Sequence, residues 1–304
     1  AVCTGGGYGV EYDLDIGRLD ELLGFKTEMW NARDSIRNYD YAVEAYMGLA
    51  LMHNTLGRLA LDFLIWHSQE FNFIRLPGRH SITSSIAPQM RIPYVLEFIN
   101  ATSGQITGRL TEALSVLKTA SDQLEPATML PAEFWTCCDE SHAAIESLID
   151  CLNEIEINKK RMAEKAQAHW VQATTLIAYL VNDKNMSFRV AHQILSVVGK
   201  QVMDNNLSPA EITVDMIEEA AVQHTGKKIG LSEEALEQTL DAWSGVEGRH
   251  YRGGTSPDRV RDHIKAAKAS EREDTKILKK IIRGIELASK KRSLAFKKLQ
   301  STIR

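Results

Sequence analysis

Residues 81–93 read Ser-Ile-Thr-Ser-Ser-Ile-Ala-Pro-Gln-Met-Arg-Ile-Pro, and they separate two long segments of helical periodicity. Small polar side chains, Ser84 and Ser85 among them, stand here in an otherwise apolar setting, which favours an ordered functional loop. Pro93 suits the first position of the apolar helix that follows. Backbone amides near a helix N-terminus can bind an anion, and a serine held among them could act as a base or a nucleophile. The alternative is a plain surface turn, since such clusters are common in turns.

Three long amphipathic helices are predicted around this loop. Apolar residues recur at three- and four-residue steps over Tyr39 to Gln69, Pro93 to Lys118 and Ala132 to Lys165. The stripe of the first helix consists of Val43, Tyr46, Ala50, His53, Leu56, Ala60, Phe63 and His67. We interpret the two histidines as packing residues in preference to ligands. Helices of this length with polar outer faces predict a bundle, and no useful strand-like alternation appears, so the predicted fold class is all-α.

From about Lys165 the predicted helices are shorter, and their starts are marked by clearer capping sequences. The run Ser208-Pro209-Ala210-Glu211 has the form of a capping box, and Ser256-Pro257-Asp258 repeats it without the reciprocal glutamate. From these changes we predict three parts: a central long-helix bundle domain with the loop over 1–164, a small helical domain over 165–264 and a basic helical extension over 265–304.

The composition is that of an ordinary globular chain. Of its 304 residues, 44% are hydrophobic and 25% are charged, and no apolar run reaches the roughly 18 residues that a membrane span needs. No signal-peptide pattern is visible. The four cysteines (Cys3, Cys137, Cys138 and Cys151) form no spaced framework, which is typical of a reducing compartment. We therefore predict a cytoplasmic protein without membrane association.

Cofactor and metal motifs are not predicted. The adjacent pair Cys137-Cys138 with His142 lacks the usual zinc spacing, so these residues are given a structural role. The glycines of Gly5-Gly6-Gly7-Tyr8-Gly9 follow no predicted strand, and no phosphate-binding loop or dinucleotide fingerprint occurs. We expect neither a metal nor a cofactor.

The C-terminal forty residues form a separate electrostatic region. Residues 265–304 contain 13 Lys/Arg against 4 Asp/Glu, a net charge of +9, so the rest of the chain carries −13. Clustered basic residues can bind nucleic acid. Phe296 is the only aromatic residue there and acidic residues interrupt the positive charge, so a solvated or partner-docking helix is preferred and nucleic acid is unlikely.

The loop resembles the signature loop of the fumarase/aspartase superfamily, G-S-S-x-x-P-x-K-x-N-P followed by a helix with a glutamate. Here the pattern runs from Thr83 to Pro93, and Glu97 stands at the glutamate position. Flanking segments narrow the resemblance to argininosuccinate lyase, because they match segments of that family in the same order over roughly residues 1 to 264. These segments are Glu21 to Phe25, Trp66 to Phe71, Ser103-Gly104, Phe188 to His192 and Gly253 to Pro257.

The resemblance implies a small-molecule lyase that works as a homotetramer and eliminates an amine from a succinyl adduct, giving fumarate. It implies that Ser84 is the base, that the Ser85 amide helps to hold the oxyanion, and that Glu97 partners a histidine from the family's N-terminal part. The residues expected to contact substrate are Thr83, Gln89, Met90, Arg91 and Ile92.

Two departures from the family pattern bear on activity. The family's lysine is replaced by Met90 and its asparagine by Ile92. Loss of a preorganised stabiliser of transition-state charge costs about 3 to 4 kcal/mol. Arg91 is not expected to substitute for the lysine, because neighbouring side chains on an extended segment point to opposite sides.

The segment Thr4 to Gly9 resembles the glycine-rich stretch that follows a substantial N-terminal part in the family, so about a third of the family's length is expected to be missing. Either the chain is one piece of a cleaved or split protein, or the chemistry has been abandoned. Three functions stay open: a lyase with a retuned substrate, a catalytically silent homologue that serves as a structural or partner subunit, and an ordinary argininosuccinate lyase.

Overall fold

The structure is a computed structural model that describes residues 8–25, 30–37, 39–118, 125–168 and 170–303. Within these residues the fold is helical, and the predicted all-α class is confirmed. The β structure of the described part consists of two antiparallel pairs of two-residue strands. None of the described helices has the combination of length and apolarity that crossing a membrane requires.

The helices and strands are numbered in chain order. The helices are α1 (Ile16–Leu23), α2 (Ala32–Arg37), α3 (Asp40–His67), α4 (Tyr94–Val116), α5 (Glu125–Glu154), α6 (Lys159–Ala166), α7 (Ala173–Asn182), α8 (Phe188–Asp204), α9 (Val214–Thr225), α10 (Glu233–Leu240), α11 (Ala242–Glu247) and α12 (Pro257–Ile303). The strands are β1 (Ile74–Arg75), β2 (Ile82–Thr83), β3 (Arg91–Ile92) and β4 (Glu156–Ile157), and 3-10 turns cover Gly78–His80 and Pro209–Glu211.

The chain divides into two compact units. The first unit contains residues 1–157 together with 273–304, and the second contains residues 158–272. The first predicted boundary, after residue 164, falls close to this division, whereas much of the basic extension joins the first unit. Whether 1–164, 165–264 and 265–304 fold as independent domains stays a prediction.

The first unit is built on the packing of α3, α4 and α5. One buried cluster includes Ala60, Leu96, Ile99, Ala144 and Leu148. A second includes Tyr46, Ala50, Ile106, Ala113 and Cys137. Each cluster draws residues from all three helices at helical spacing, so the apolar stripes predicted for α3 and α4 do face the core.

A polar layer separates these two clusters along the bundle. His53 on α3, Thr102 on α4 and Ser141 on α5 each lie between residues of one cluster and residues of the other, and their exposed fractions are 0%, 3% and 3%. Thr102 donates its hydroxyl to the Phe98 carbonyl. Among the described residues, neither His53 ring nitrogen nor Ser141 Oγ has a hydrogen-bond partner.

The prediction for the third long helix was wrong at both ends. A helix from Ala132 to Lys165 was expected, but α5 begins at Glu125 and ends at Glu154. The next residues form β4, whose Ile157 and Glu156 pair with Ile74 and Arg75 of β1. Asn158 then caps α6, since its side chain accepts the Arg161 amide at 3.2 Å.

The second unit has its own apolar core, formed by α7, α8, α9 and α10. Glu218 is a buried carboxylate in this unit, and it accepts the backbone amides of Ile229 and Leu231 at 2.7 Å each. Two charge-assisted hydrogen bonds compensate for the loss of its hydration. They also fix the connection between α9 and α10.

The two predicted caps differ in the structure. At the first, the Glu211 carboxylate accepts both the amide and the hydroxyl of Ser208, which lowers the pKa of Glu211, although the turn that follows is a single 3-10 turn. At the second, α12 does begin at Pro257, but the expected hydroxyl cap is absent. Ser256 Oγ is buried and has no hydrogen-bond partner in the described part of the chain.

The predicted basic extension forms the greater part of α12. In the first unit it contacts α1, where Lys291 Nζ lies 2.7 Å from Glu21 Oε1. This lysine, together with Arg18, lowers the pKa of Glu21. Beside the ion pair, the chain turns at Gly24 with φ +85° opposite the Ala288 side chain, at a place where a side chain would be strained.

Candidate active site

The predicted loop is a short β-hairpin that leads directly into α4. Strands β2 and β3 pair Ile82 with Ile92 and Thr83 with Arg91. The amide of Met90 donates to the Ala87 carbonyl at 2.9 Å, and Pro88 lies inside the turn that this bond closes. The hairpin brings Thr83, Ser84, Ser85, Gln89, Met90, Arg91 and Ile92 into one structure.

Ser84 is the point on which the loop amides converge. Its Oγ accepts hydrogen bonds from the amides of Ala87, at 3.2 Å, and Ile86, at 3.4 Å. Its side chain is half-buried, whereas Ser85 is exposed. The expectation that the Ser85 amide helps to hold an oxyanion stays a prediction; the amides that donate to Ser84 Oγ belong to the residues two and three positions beyond it. The pattern of a serine followed by a turn with proline is the signal for this arrangement.

Three further predicted contact residues differ in their exposure. Gln89 is exposed, and Met90 has half its surface exposed, at 50%. Ile92 is half-buried on β3 opposite Ile82. Met90 and Ile92 therefore present apolar surface where the family pattern has a cation and an amide.

Arg91 is bound within the hairpin. Its Nη1 donates to Thr83 Oγ1 at 2.7 Å, directly across the β2–β3 pair. Both side chains are exposed. The guanidinium therefore braces the two strands and leaves the place of the missing lysine to Met90.

Glu97 lies in the first turn of α4, where its amide donates to the Pro93 carbonyl. A carboxylate is stabilised there by the positive end of the helix dipole. Its side chain is exposed, and within the described residues it forms no ion pair. Its expected partner is a histidine from a part of the family that this chain does not match.

The start of the hairpin is attached to the end of α5 by a cluster that sequence reasoning missed. Arg79 and His80, in the 3-10 turn before β2, both approach Glu154, the last residue of α5. The nearby β1–β4 pairing joins the same two parts of the chain. No local pattern shows this, because the partners are separated by 75 residues.

Metal-binding geometry is not found in the described residues, which contain no group of three or more His, Cys, Asp or Glu side chains suited to hold an ion. Cys137, Cys138 and Cys151 are free thiols, while Cys3 lies outside the described residues. Burial raises the pKa of Cys137 to about 11, so its reactive thiolate is disfavoured at neutral pH.

Comparisons with known families place the hairpin and the second unit in one class of protein. A family model described as "Lyase" matches residues 1–108, which include the hairpin, and one described as "Argininosuccinate lyase C-terminal" matches residues 170–247. The fold agrees with EDDS lyase in complex with formate (TM-score 0.86, 24% identity, 98% of this chain and 59% of that chain). It also resembles a Brucella melitensis fumarate lyase:delta crystallin (TM-score 0.52, 21% identity, 75% and 45% covered). The chain is therefore a helical-bundle lyase homologue.

Curated relatives narrow this class. Argininosuccinate lyase of Methanosphaera stadtmanae is 32% identical over 257 residues, covering 83% of this chain and 55% of the relative. Argininosuccinate lyase 1 of Shouchella clausii is 34% identical over 242 residues, covering 79% and 49%. The chain belongs to the fumarase/aspartase superfamily, as an argininosuccinate lyase-like member. It spans about half the length of these curated relatives.

Proposed function

We propose that the chain supplies the base of an argininosuccinate lyase-like carbon–nitrogen lyase. In this proposal Ser84 Oγ, as an alkoxide, takes a proton from the carbon next to a carboxylate of a succinyl-type or altered amine adduct. The electron pair of that C–H bond passes first into the neighbouring carboxylate, which becomes a dianionic aci-carboxylate. That pair then forms the C=C bond of a fumarate-type product as the C–N bond breaks, and the amine leaves with the C–N bonding pair and takes up a proton.

The observation that carries the proposal is the pair of amides directed at Ser84 Oγ. A free serine is a very weak base at neutral pH, so an elimination base of this kind needs a stabilised alkoxide. N–H groups that donate to the oxygen favour its charged form. The distances to the amides of Ile86 and Ala87, 3.4 and 3.2 Å, are long, as is common before substrate binds.

The proposed substrate contacts follow from the hairpin surface. The substrate contacts that we propose around Ser84 are Thr83, Gln89, Met90, Arg91 and Ile92, with Glu97 as a further catalytic group. The apolar surfaces of Met90 and Ile92 suit a substrate that has no carboxylate at that place. A leaving amine that differs from the family's is consistent with this change. We propose that the chain assembles as a homotetramer, or as a hetero-oligomer with a polypeptide that supplies the family's N-terminal part.

Substitution of Ser84 tests the proposal directly. The enzyme assayed contains this chain together with the part of the family's length that it does not match. In that enzyme, Ser84→Ala should lower the release of a fumarate-type product, measured by its ultraviolet absorbance, by about 10²- to 10⁴-fold. The control is Ser85→Ala, which removes an exposed neighbouring hydroxyl and should cost only a few-fold. Equal turnover by Ser84→Ala and the unsubstituted enzyme would show that another group is the base.

One observation favours a second function, that of a catalytically silent partner subunit. Met90 provides no charge, and the Arg91 guanidinium is held across the strands by Thr83, so no cation stands at the position of the family's lysine to meet a developing dianion. A silent chain should show no turnover alone and should raise the turnover of an active homologue when the two are mixed. Product release by an assembly of this chain alone would exclude that role.

A further inference from the structure

The Ser84 hairpin is tied at its beginning to the C-terminus of α5 by a two-point ion pair. Arg79 Nε donates to Glu154 Oε2 at 2.7 Å, and Arg79 Nη2 lies 2.6 Å from Glu154 Oε1. Two N–H groups of one guanidinium thus bind both oxygens of one carboxylate. Such pairing fixes orientation as well as distance, and a lysine cannot reproduce it.

The same carboxylate also faces the next residue of the 3-10 turn. His80 is 5% exposed, and its Nε2 lies 3.6 Å from Glu154 Oε2, beyond hydrogen-bond distance. Arg79 Nη2 additionally lies 3.9 Å from Asp150 Oδ2, one helical turn earlier on α5. The end of α5 therefore faces both residues that lead into β2, and the helix dipole favours a cation there.

We propose that Glu154 is a positioning residue for Ser84. It holds Arg79, the neighbour of His80, at the end of α5. This contact fixes the direction in which β2 enters the hairpin, and thereby the position of Ser84 Oγ relative to its two amides. This inference rests on the proposed role of Ser84 as base. Glu154 itself touches neither the serine nor, in this proposal, the substrate.

A role of the Arg79–Glu154 pair in positioning Ser84 and a role in stabilising the fold predict effects of different size on rate and on stability. The side chains of Arg79 and Glu154 are 54% and 40% exposed, and ion pairs of this exposure contribute little to stability. A displacement of a catalytic group by about 1 Å can lower the rate about a hundredfold. Loss of the pair should therefore change the rate far more than the thermal midpoint.

The first test compares Glu154→Gln with Glu146→Gln in the enzyme assembled with the family's full length. Glu154→Gln keeps the shape of the side chain and removes its charge, so we expect kcat to fall about tenfold to a hundredfold, with KM and the thermal midpoint little changed. Arg79→Lys should behave in the same way. Glu146, on the same helix, lies 3.3 Å from the exposed His142, and its substitution should change none of these quantities.

A second measurement needs no turnover. Hydrogen exchange of the amides in residues 84–92 should be faster in Glu154→Gln than in the unsubstituted chain, and unchanged in Glu146→Gln. Unchanged exchange together with unchanged kcat would overturn the positioning role, as would a lower thermal midpoint at full kcat. If Ser84→Ala kept full activity, the proposed base would be wrong, while the exchange result would still decide whether Glu154 orders the hairpin.

Discussion

The surroundings of His53 make the stability of the folded chain depend on pH. Its side chain is fully buried between the two apolar clusters, and burial lowers its pKa from the ordinary 6.5. The unfolded chain therefore binds a proton at a higher pH than the folded chain does. The contribution of neutral His53 to stability is present above pH 6.5 and is lost as pH falls below it.

We expect the urea unfolding free energy to fall between pH 7.5 and 5.5, and His53→Leu to make this fall smaller. Leucine leaves no unpaired ring nitrogen between the two apolar clusters, and it has no proton to bind. His142→Leu is the matched control, since His142 is on the same bundle but its side chain is 74% exposed. A fall of equal size in His53→Leu and the unsubstituted chain would contradict the assignment.

Single residues also show how far the sequence could lead to the site. The hydroxyl pair Ser84-Ser85 and the positions of Met90 and Ile92 were recognisable from the pattern alone. The hydrogen bonds from the Ile86 and Ala87 amides were not, because they depend on the backbone turn closed between Ala87 and Met90. A pattern identifies which side chains are available, whereas the folded turn decides which amides meet them.

Among the elements, the bounds of α3 and α4 were predicted to within a few residues, because each has a long apolar stripe and a clear stop. The end of α5 was missed for a different reason. Glu156 and Ile157 leave the helix to pair with Ile74 and Arg75, far away in the sequence. Local helical periodicity contains no information about that partner.

The packing of α3 on α4 allows two glycines of one helix to be compared. A Cβ added at Gly57 would lie 2.8 Å from Ser103 Cβ and 2.7 Å from its Oγ, whereas one added at Gly48 meets nothing within 4 Å. We expect Gly57→Ala to lower the unfolding free energy by about 1–3 kcal/mol through overpacking. Gly48→Ala should raise it by about 0.5–1 kcal/mol, the usual helix preference for alanine.

Chemical denaturation of both glycine variants measures whether the unfolding free energy falls in Gly57→Ala and rises in Gly48→Ala. The double variant Gly57→Ala with Ser103→Gly should recover part of the loss, because it removes the two atoms that an added Cβ would meet. Equal effects of Gly57→Ala and Gly48→Ala would show that α3 and α4 do not approach as closely as described.

At the scale of the whole molecule, the long helices carry apolar side chains on their outer faces as well as in the core. Leu51 on α3, Leu114 on α4 and Ile149 on α5 are 64%, 52% and 52% exposed. In the proposed assembly such exposed apolar side chains would be covered by a neighbouring chain. Their exposure supports the proposed assembly and is independent of whether the Ser84 hairpin is active.

Native mass spectrometry of Leu51→Asp tests that assembly. A charge at an outward position of α3 has water available in the isolated chain, so helix content by circular dichroism should stay unchanged. In an interface the same charge would lose its hydration and gain no oppositely charged partner. We therefore expect the oligomer to dissociate into smaller assemblies or single chains. Met203→Asp is the control, since Met203 on α8 is 81% exposed and lies outside the α3–α5 bundle. If Leu51→Asp and Met203→Asp gave the same oligomer as the unsubstituted chain, the outer face of α3 would not be the surface through which the chains associate.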